Sequence, residues 1–175
     1  GQGNRLTLDG KARLTAVQAS HPSAVLQLPQ LTVQATAEGS WRHLTGDYTM
    51  AGDTLRLNLP GMNARLPHLS AAGAFDVEED RVRVTGRARL TRGEVRLPDH
   101  DLRLTGLRAE LPFSWPYMAA TGRGTLSVGS ATWQTFELGR VRGQIHQRGN
   151  GADFSLRHTS QMLTGGELKL DGQLR

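Results

Sequence analysis

Residues 81–91 read Arg-Val-Arg-Val-Thr-Gly-Arg-Ala-Arg-Leu-Thr, and residues 5–15 read Arg-Leu-Thr-Leu-Asp-Gly-Lys-Ala-Arg-Leu-Thr. In both stretches, apolar or small residues alternate strictly with polar ones. A period of two predicts a β-strand with one apolar and one polar face, because successive side chains of a strand point to opposite sides. The polar face of the first-quoted stretch carries Arg81, Arg83, Arg87 and Arg89.

The same alternation returns along most of the chain, and no helical period is sustained. Examples are residues 31–37, 55–59, 71–77 and 168–174. Gly and Pro interrupt the pattern at short intervals, which argues against a long helix. The sequence therefore predicts an all-β fold of many short strands, mostly an antiparallel meander. At most it allows a short helical turn near residues 16–20.

A glycine stands inside several of these segments. The pattern apolar-x-Gly-x-apolar occurs at Gly10, Gly73, Gly86, Gly143 and Gly172. Gly weakens a strand interior unless it marks a bend, a bulge or a close backbone approach. Such positions on neighbouring strands let a sheet curl. We therefore expect a curved antiparallel sheet shaped as a gutter, a β-taco or a flattened barrel, with isolated bulges as the alternative.

Two local features predict irregular backbone. The alternation changes phase between Leu104 and Leu107, which predicts a bulge or bend near Gly106. Residues 99–101, Asp-His-Asp, follow Pro98 and stand between two strand patterns. A turn is the better interpretation of this cluster than a metal site.

Composition bounds the class of protein. The chain has 175 residues, which predicts a single domain over residues 1–175. All but two of the 21 basic residues are Arg, and the net charge is +5. Arg suits phosphate and carboxylate groups, so an anionic surface or ligand is one interpretation and a compositional bias is the other. Since no cysteine is present, thiol catalysis, disulfides and Cys-based zinc sites are excluded.

No motif points to catalysis, a metal or a cofactor. The six histidines never pair at the close spacings of a compact metal site. Ser127 lacks a nucleophile elbow, and no phosphate-binding loop precedes a helical pattern. The arginine rows have no interleaved aromatics, as a nucleic-acid platform would need. We therefore expect a protein that is not an enzyme, has no cofactor and does not bind nucleic acid.

Three strings carry a resemblance to a known family: residues 102–112, 124–129 and 166–174. They resemble the AsmA-like superfamily, and its TamB and YdbH branches most. The resemblance implies a section of a longer envelope protein, with the remaining segments of the same polypeptide as neighbours. It implies a long curved sheet with a hydrophobic groove, tethered to the bacterial inner membrane and reaching across the periplasm to carry phospholipid. A related lipopolysaccharide-transport β-jellyroll is the second possibility.

The predicted site follows from the two faces of the quoted strand and its continuation. The residues predicted to line a lipid groove are Val82, Val84, Ala88, Leu90, Val95, Leu97, Leu102 and Leu104. The residues predicted to contact head groups or an anionic surface are Arg81, Arg83, Arg87 and Arg89. The alternative is a closed core inside a structural or polysaccharide-binding β-sandwich.

Overall fold

The structure is a computed structural model that describes residues 6–40, 42–79, 81–116, 122–148, 151–159 and 167–174. These residues form one antiparallel sheet of ten strands, in which each strand pairs with the next one in sequence. The strands are β1 (Leu6–His21), β2 (Ala24–Ser40), β3 (His43–Leu59), β4 (Met62–Glu78), β5 (Arg81–Leu97), β6 (Leu102–Trp115), β7 (Gly122–Trp133), β8 (Phe136–Arg148), β9 (Gly151–Thr159) and β10 (Glu167–Leu174). A 3-10 turn, Pro98–His100, joins β5 to β6. The predicted all-β class and the curved antiparallel meander are confirmed.

The strands are longer than the sequence indicated. β2 to β5 each span 17 residues, against about 5–6 residues for a common strand. Apolar segments that alternate in opposite phase, such as residues 26–28 and 31–37, belong to one strand. The phase changes at an irregular stretch within the strand, and the register of β2 with β1 and β3 is the same on both sides of that stretch. The two segments therefore form one long strand, where the sequence indicated two short ones.

A line of irregular backbone positions, called the line of bulges below, crosses β1 and β4 to β6 near the middle of each strand. The backbone is left-handed at Ala16 (φ 54°), His68 (φ 55°), Arg92 (φ 62°) and Gly106 (φ 66°). The register between β5 and β6 shifts on both sides of Gly93, which lies opposite Leu107. The bulge predicted near Gly106 is thus confirmed. The short helical turn that the sequence allowed near residues 16–20 does not form, because Ala16 is an irregular position inside the continuous strand β1.

The described residues form a single layer and almost no core. The buried apolar residues are Ala37, Tyr48, Ala64, Leu90, Val128 and Ala131. In the described part of the chain, no large side chain is fully enclosed and no polar residue is buried. A β-sandwich buries alternate residues between two facing sheets, whereas these ranges supply one unclosed sheet.

Aromatic rings lie beside glycines of neighbouring strands. Tyr48 in β3 is opposite Gly73 in β4, and Gly73 is opposite Gly86 in β5. The Tyr48 hydroxyl donates a hydrogen bond to the Thr85 carbonyl oxygen at 3.3 Å. An added Cβ at Gly86 would lie 2.5 Å from that hydroxyl oxygen. The bare glycines therefore make room for the ring, which is 8% exposed, and burial raises the pKa of Tyr48.

The substitution Gly73→Ala should destabilise the fold. The new Cβ would overlap the Thr85 carbonyl oxygen and approach the Gly86 Cα at 2.5 Å, and neither backbone atom can move without disturbing the ladder. We expect the free energy of unfolding to fall by roughly 2–3 kcal/mol, the upper part of the common range for point substitutions. Urea unfolding followed by circular dichroism measures the change.

The matched control is Gly10→Ala in β1. An added Cβ at Gly10 meets nothing within 4 Å. Alanine there should raise stability by roughly 0.5–1 kcal/mol, because Gly in a strand interior has more freedom to lose on folding. Equal unfolding midpoints for the two variants would contradict the close packing at Gly73.

Candidate functional site: an open apolar face

The register brings the apolar residues of successive strands onto one face of the sheet. Directly paired residues share a face, and Leu69 of β4 pairs with Leu90 of β5. The face continues past the line of bulges. An added Cβ at Gly93 would meet the side chains of Leu66, Leu90 and Leu107, so residues on both sides of the bulges converge there.

All eight residues predicted to line a groove lie on this apolar face, in β5 and β6. Val95 is directly opposite Leu104, and Leu97 is opposite Leu102. Leu90 is buried at 8% exposure and Val82 is exposed at 39%. The other six, which are Val84, Ala88, Val95, Leu97, Leu102 and Leu104, are half-buried. The structure thus brings the set together on β5 and β6, while its contact with lipid stays a prediction.

Sequence reasoning missed most of the exposed part of this face. Its exposed large apolar residues are Leu6, Leu8, Leu14, Val82, Leu111, Trp115, Trp133 and Phe136. Only Val82 belongs to the predicted set. Trp115 ends β6, and Trp133 pairs with Leu102, which begins it. The two exposed indoles therefore lie at opposite ends of β6, separated by about 43 Å measured along the strand at about 3.3 Å per residue.

A sequence signal for Trp115 was present. Leu107, Ala109, Leu111 and Phe113 alternate in one phase, and Trp115 continues it. The degree of exposure had no such signal. It depends on which strands flank a residue and on whether a second layer covers the face.

The four arginines predicted to contact an anionic surface are exposed on the opposite, polar face. Arg87 Nη1 donates to Glu110 Oε1 at 2.7 Å, and Arg89 Nε donates to Glu110 Oε2 at 3.0 Å. These hydrogen bonds lower the pKa of Glu110. Arg81 and Arg83 lie opposite acidic residues of β4. The arginine row and the apolar row therefore lie on opposite sides of the same strand.

A second charged cluster surrounds Glu94 beyond the bulges. Glu94 Oε1 accepts hydrogen bonds from Arg96 Nε at 2.7 Å and Arg103 Nε at 2.9 Å. The hydrogen bond from Arg96 is the largest cause of a lowered pKa of Glu94. Arg65 is paired opposite Glu94, and Arg56 is opposite Arg65. Sequence reasoning did not single out this cluster, because its members come from four strands.

The polar face also carries a depression of about 780 Å³ across β1 to β5. Its charged lining is Asp9, Glu38, Asp47, Asp76 and Arg83. Within the described ranges, no group of three or more acidic or histidine side chains has an arrangement that could hold a metal ion. Its lining also includes the apolar residues Leu8, Ala37, Ala74 and Phe75, so the depression is of mixed character and differs from the hydrophobic groove that the resemblance implies.

No protein-family model, curated protein or solved structure matches this chain. Membership of the AsmA-like superfamily therefore stays a prediction from the three quoted strings. In the part of the chain that the structure describes, no helix is long and apolar enough to cross a membrane.

The Glu110 carboxyl should titrate below the ordinary glutamate value of 4.5, because Arg87 and Arg89 hydrogen-bond its charged form. The double substitution Arg87→Gln with Arg89→Gln should raise this pKa, measured by carboxyl-carbon NMR. Since the folded-state pKa is lowered, the ion pairs stabilise the fold above the unfolded pKa. That stabilisation is lost as the pH falls through the folded pKa.

The matched control is Arg81→Gln with Arg83→Gln in the same row. It removes the same charge but neither hydrogen bond, so the Glu110 pKa should move less. An equal shift in both double variants would mean that net charge, rather than the two hydrogen bonds, sets the pKa.

Proposed function

We propose that this chain binds amphipathic lipid on its apolar face, with acyl chains lying against the sheet. One observation carries the proposal. Eight large apolar side chains, 37–58% exposed, lie on one face of a sheet that has no second layer among the described residues. Contiguous exposed apolar surface beyond a few hundred Å² is rare in monomeric soluble proteins and marks interaction sites.

The free energy gained by covering an acyl chain is small enough that the lipid would bind reversibly. Full removal of one methylene from water contributes roughly 0.8 kcal/mol. An acyl chain on an open sheet keeps one side in water, so each methylene contributes only part of that value. Exposed indoles at both ends of β6 suit the boundary between acyl chain and head group, because Trp has an apolar body and a polar N–H.

The proposed setting is the bacterial cell envelope. The AsmA-like resemblance supports a periplasmic section of a longer protein tethered to the inner membrane. Such a module would pass phospholipid, or lipopolysaccharide, between the inner and outer membranes. The rival function, a structural or polysaccharide-binding β-sandwich, needs two facing sheets. The described residues form one.

A charge on the apolar face tests lipid binding. In Val84→Glu, the new carboxylate lies where Val84 pairs with Phe75 and Trp115, and it should repel an acyl chain. The matched control is Thr85→Glu, which places the same charge one residue on, on the polar face. Native mass spectrometry should find co-purified lipid with the wild type and Thr85→Glu, and strongly reduced lipid with Val84→Glu.

Urea unfolding separates binding from stability in this pair. On an open face the Val84→Glu carboxylate reaches water, so the variant should fold. Inside a closed core the same carboxylate would cost several kcal/mol. Wild-type protein without lipid, together with an unfolded Val84→Glu variant, would mean that the face is an ordinary core.

The arginine row has a separate role in the proposal. Because it lies on the other side of β5, it meets anionic head groups of an adjacent membrane, not those of a lipid held at the middle of the apolar face. Changing Arg81, Arg83, Arg87 and Arg89 to Gln should weaken binding to anionic vesicles, and most at low salt. Co-purified lipid should remain. Loss of both together would contradict the division of roles between the faces.

A further inference from the structure

The charged cluster around Glu94 carries more positive than negative charge. Arg96 and Arg103 hydrogen-bond the Glu94 carboxylate. Arg65 of β4 is directly opposite Glu94, and Arg56 of β3 is directly opposite Arg65. We call these four arginines and Glu94 the arginine patch. All four arginines are exposed on the polar face, so four positive charges and one negative charge leave a formal excess of three.

The arginine row of the same face is better matched by carboxylates. In the row of Arg81, Arg83, Arg87 and Arg89, each arginine hydrogen-bonds a carboxylate or lies directly opposite one on β4. The carboxylates are Asp76, Glu78 and Glu110. The row therefore has three acids for four arginines, whereas the arginine patch has one. A small anion near the polar face is thus attracted more strongly to the patch than to the row.

The register places like charges directly opposite each other in the patch. Arg56 pairs with Arg65, and Arg96 pairs with Arg103. Like charges in this position destabilise a strand pair. Glu94 offsets the repulsion between Arg96 and Arg103. Among the described residues, no carboxylate lies within ion-pair distance of Arg56 or Arg65. The free protein therefore gives up stability at this patch, as binding sites often do.

Hydrogen-bond donors outnumber acceptors in the patch. Arg96 and Arg103 both reach the same Glu94 oxygen, Oε1, and each does so through Nε. A guanidinium has five N–H donors, so each keeps its four Nη donors, which have no other partner among the described residues. Asn58 and Asn63, opposite each other on β3 and β4, add exposed amide donors beside the arginines. The arrangement suits a negatively charged ligand that accepts several hydrogen bonds.

We propose that the arginine patch binds a phosphate group that carries two or more negative charges, as a phosphate monoester or a diphosphate does. A guanidinium donates two parallel hydrogen bonds to a phosphate, a geometry that Arg provides and Lys does not. The four arginines lie on four neighbouring strands, which span about 14 Å at about 4.8 Å per spacing. Their long side chains can converge on one small anion. This inference does not rest on lipid binding at the apolar face.

Inorganic pyrophosphate is the probe for the first test. At low ionic strength it should raise the unfolding temperature of the wild type, followed by circular dichroism, more than sodium chloride of equal ionic strength does. Salt only screens the repulsion among the arginines, whereas a bound anion stabilises the folded state by mass action. Isothermal titration calorimetry at physiological ionic strength gives the dissociation constant.

The double substitution Arg56→Gln with Arg65→Gln removes one like-charge pair from the patch. Because hydrogen bonds to charged groups are strong, the pyrophosphate dissociation constant should rise on the order of tenfold or more. Without pyrophosphate, the variant should unfold at the same temperature as the wild type or at a higher one, since the repulsion is gone. Loss of binding in a variant that is no less stable does not result from unfolding.

The matched control is Arg13→Gln with Arg123→Gln. Both arginines are exposed on the polar face, in β1 and β7 and outside the patch, so the control loses the same net charge. Its pyrophosphate dissociation constant should stay within about twofold of the wild-type value, because exposed charges farther away than the Debye length are largely screened.

Vesicles distinguish the two sources of phosphate. Phosphatidic acid presents a phosphate monoester at a membrane surface. If the ligand is a lipid head group, the patch variant should bind phosphatidylcholine vesicles containing phosphatidic acid more weakly than the wild type, and pyrophosphate should displace the wild type from them. If the ligand is a soluble phosphate compound, the patch variant should lose pyrophosphate binding and keep wild-type binding to these vesicles.

The proposal is wrong if pyrophosphate stabilises the wild type no more than sodium chloride does. It is also wrong if the patch variant binds pyrophosphate as tightly as the wild type. Equal weakening in the patch variant and in the control would show attraction by net charge, without a site at the patch. None of these measurements depends on co-purified lipid, so this proposal and lipid binding at the apolar face can fail separately.

Discussion

The hydrogen-bond ladder between neighbouring strands is the interaction on which this structure depends. The described residues form ten strands in sequence order with almost no core, so packing between layers contributes little. A single backbone hydrogen bond adds only about 0.5–1.5 kcal/mol of net stability. Long strands add up many such small contributions, and β2 to β5, with 17 residues each, supply many of these hydrogen bonds. The irregular positions in the middle of the strands leave the ladder in place but change which alternate residues point to each side. The apolar side chains of both halves of a strand therefore lie on the same face of the sheet.

Packing within the layer supplements the ladder by placing large residues beside small ones. The Tyr48 ring lies against the glycine pair Gly73 and Gly86, and its hydroxyl reaches the Thr85 carbonyl oxygen. Phe75 is directly opposite Gly46, where an added Cβ would lie 2.8 Å from the end of the Phe75 ring. One sheet can thus bury part of an aromatic surface without a second sheet. The cost is that the glycines cannot be replaced.

The two faces divide the chemistry of the molecule. The apolar face is open and has exposed indoles near both ends of β6. The polar face concentrates arginine around two carboxylates, Glu94 and Glu110, and each accepts two hydrogen bonds from guanidinium groups. A period of two separates these faces residue by residue. One ligand held at the middle of β5 therefore contacts one face only.

The sequence by itself determined the all-β class, the meander, the irregularity near Gly106 and the face on which each alternating residue lies. These properties are local, because a strand sets side-chain direction residue by residue. All eight predicted groove residues accordingly lie on one face. The tertiary structure decided what depends on residues far apart in sequence. It showed that segments of opposite phase join into long strands, and that Ala16 lies within a strand where the sequence allowed a helical turn. Only the register brought Glu110 to Arg87 and Arg89. Only the absence of a second layer among the described residues left Trp115 and Leu8 exposed, because exposure is set by neighbours that no local pattern encodes.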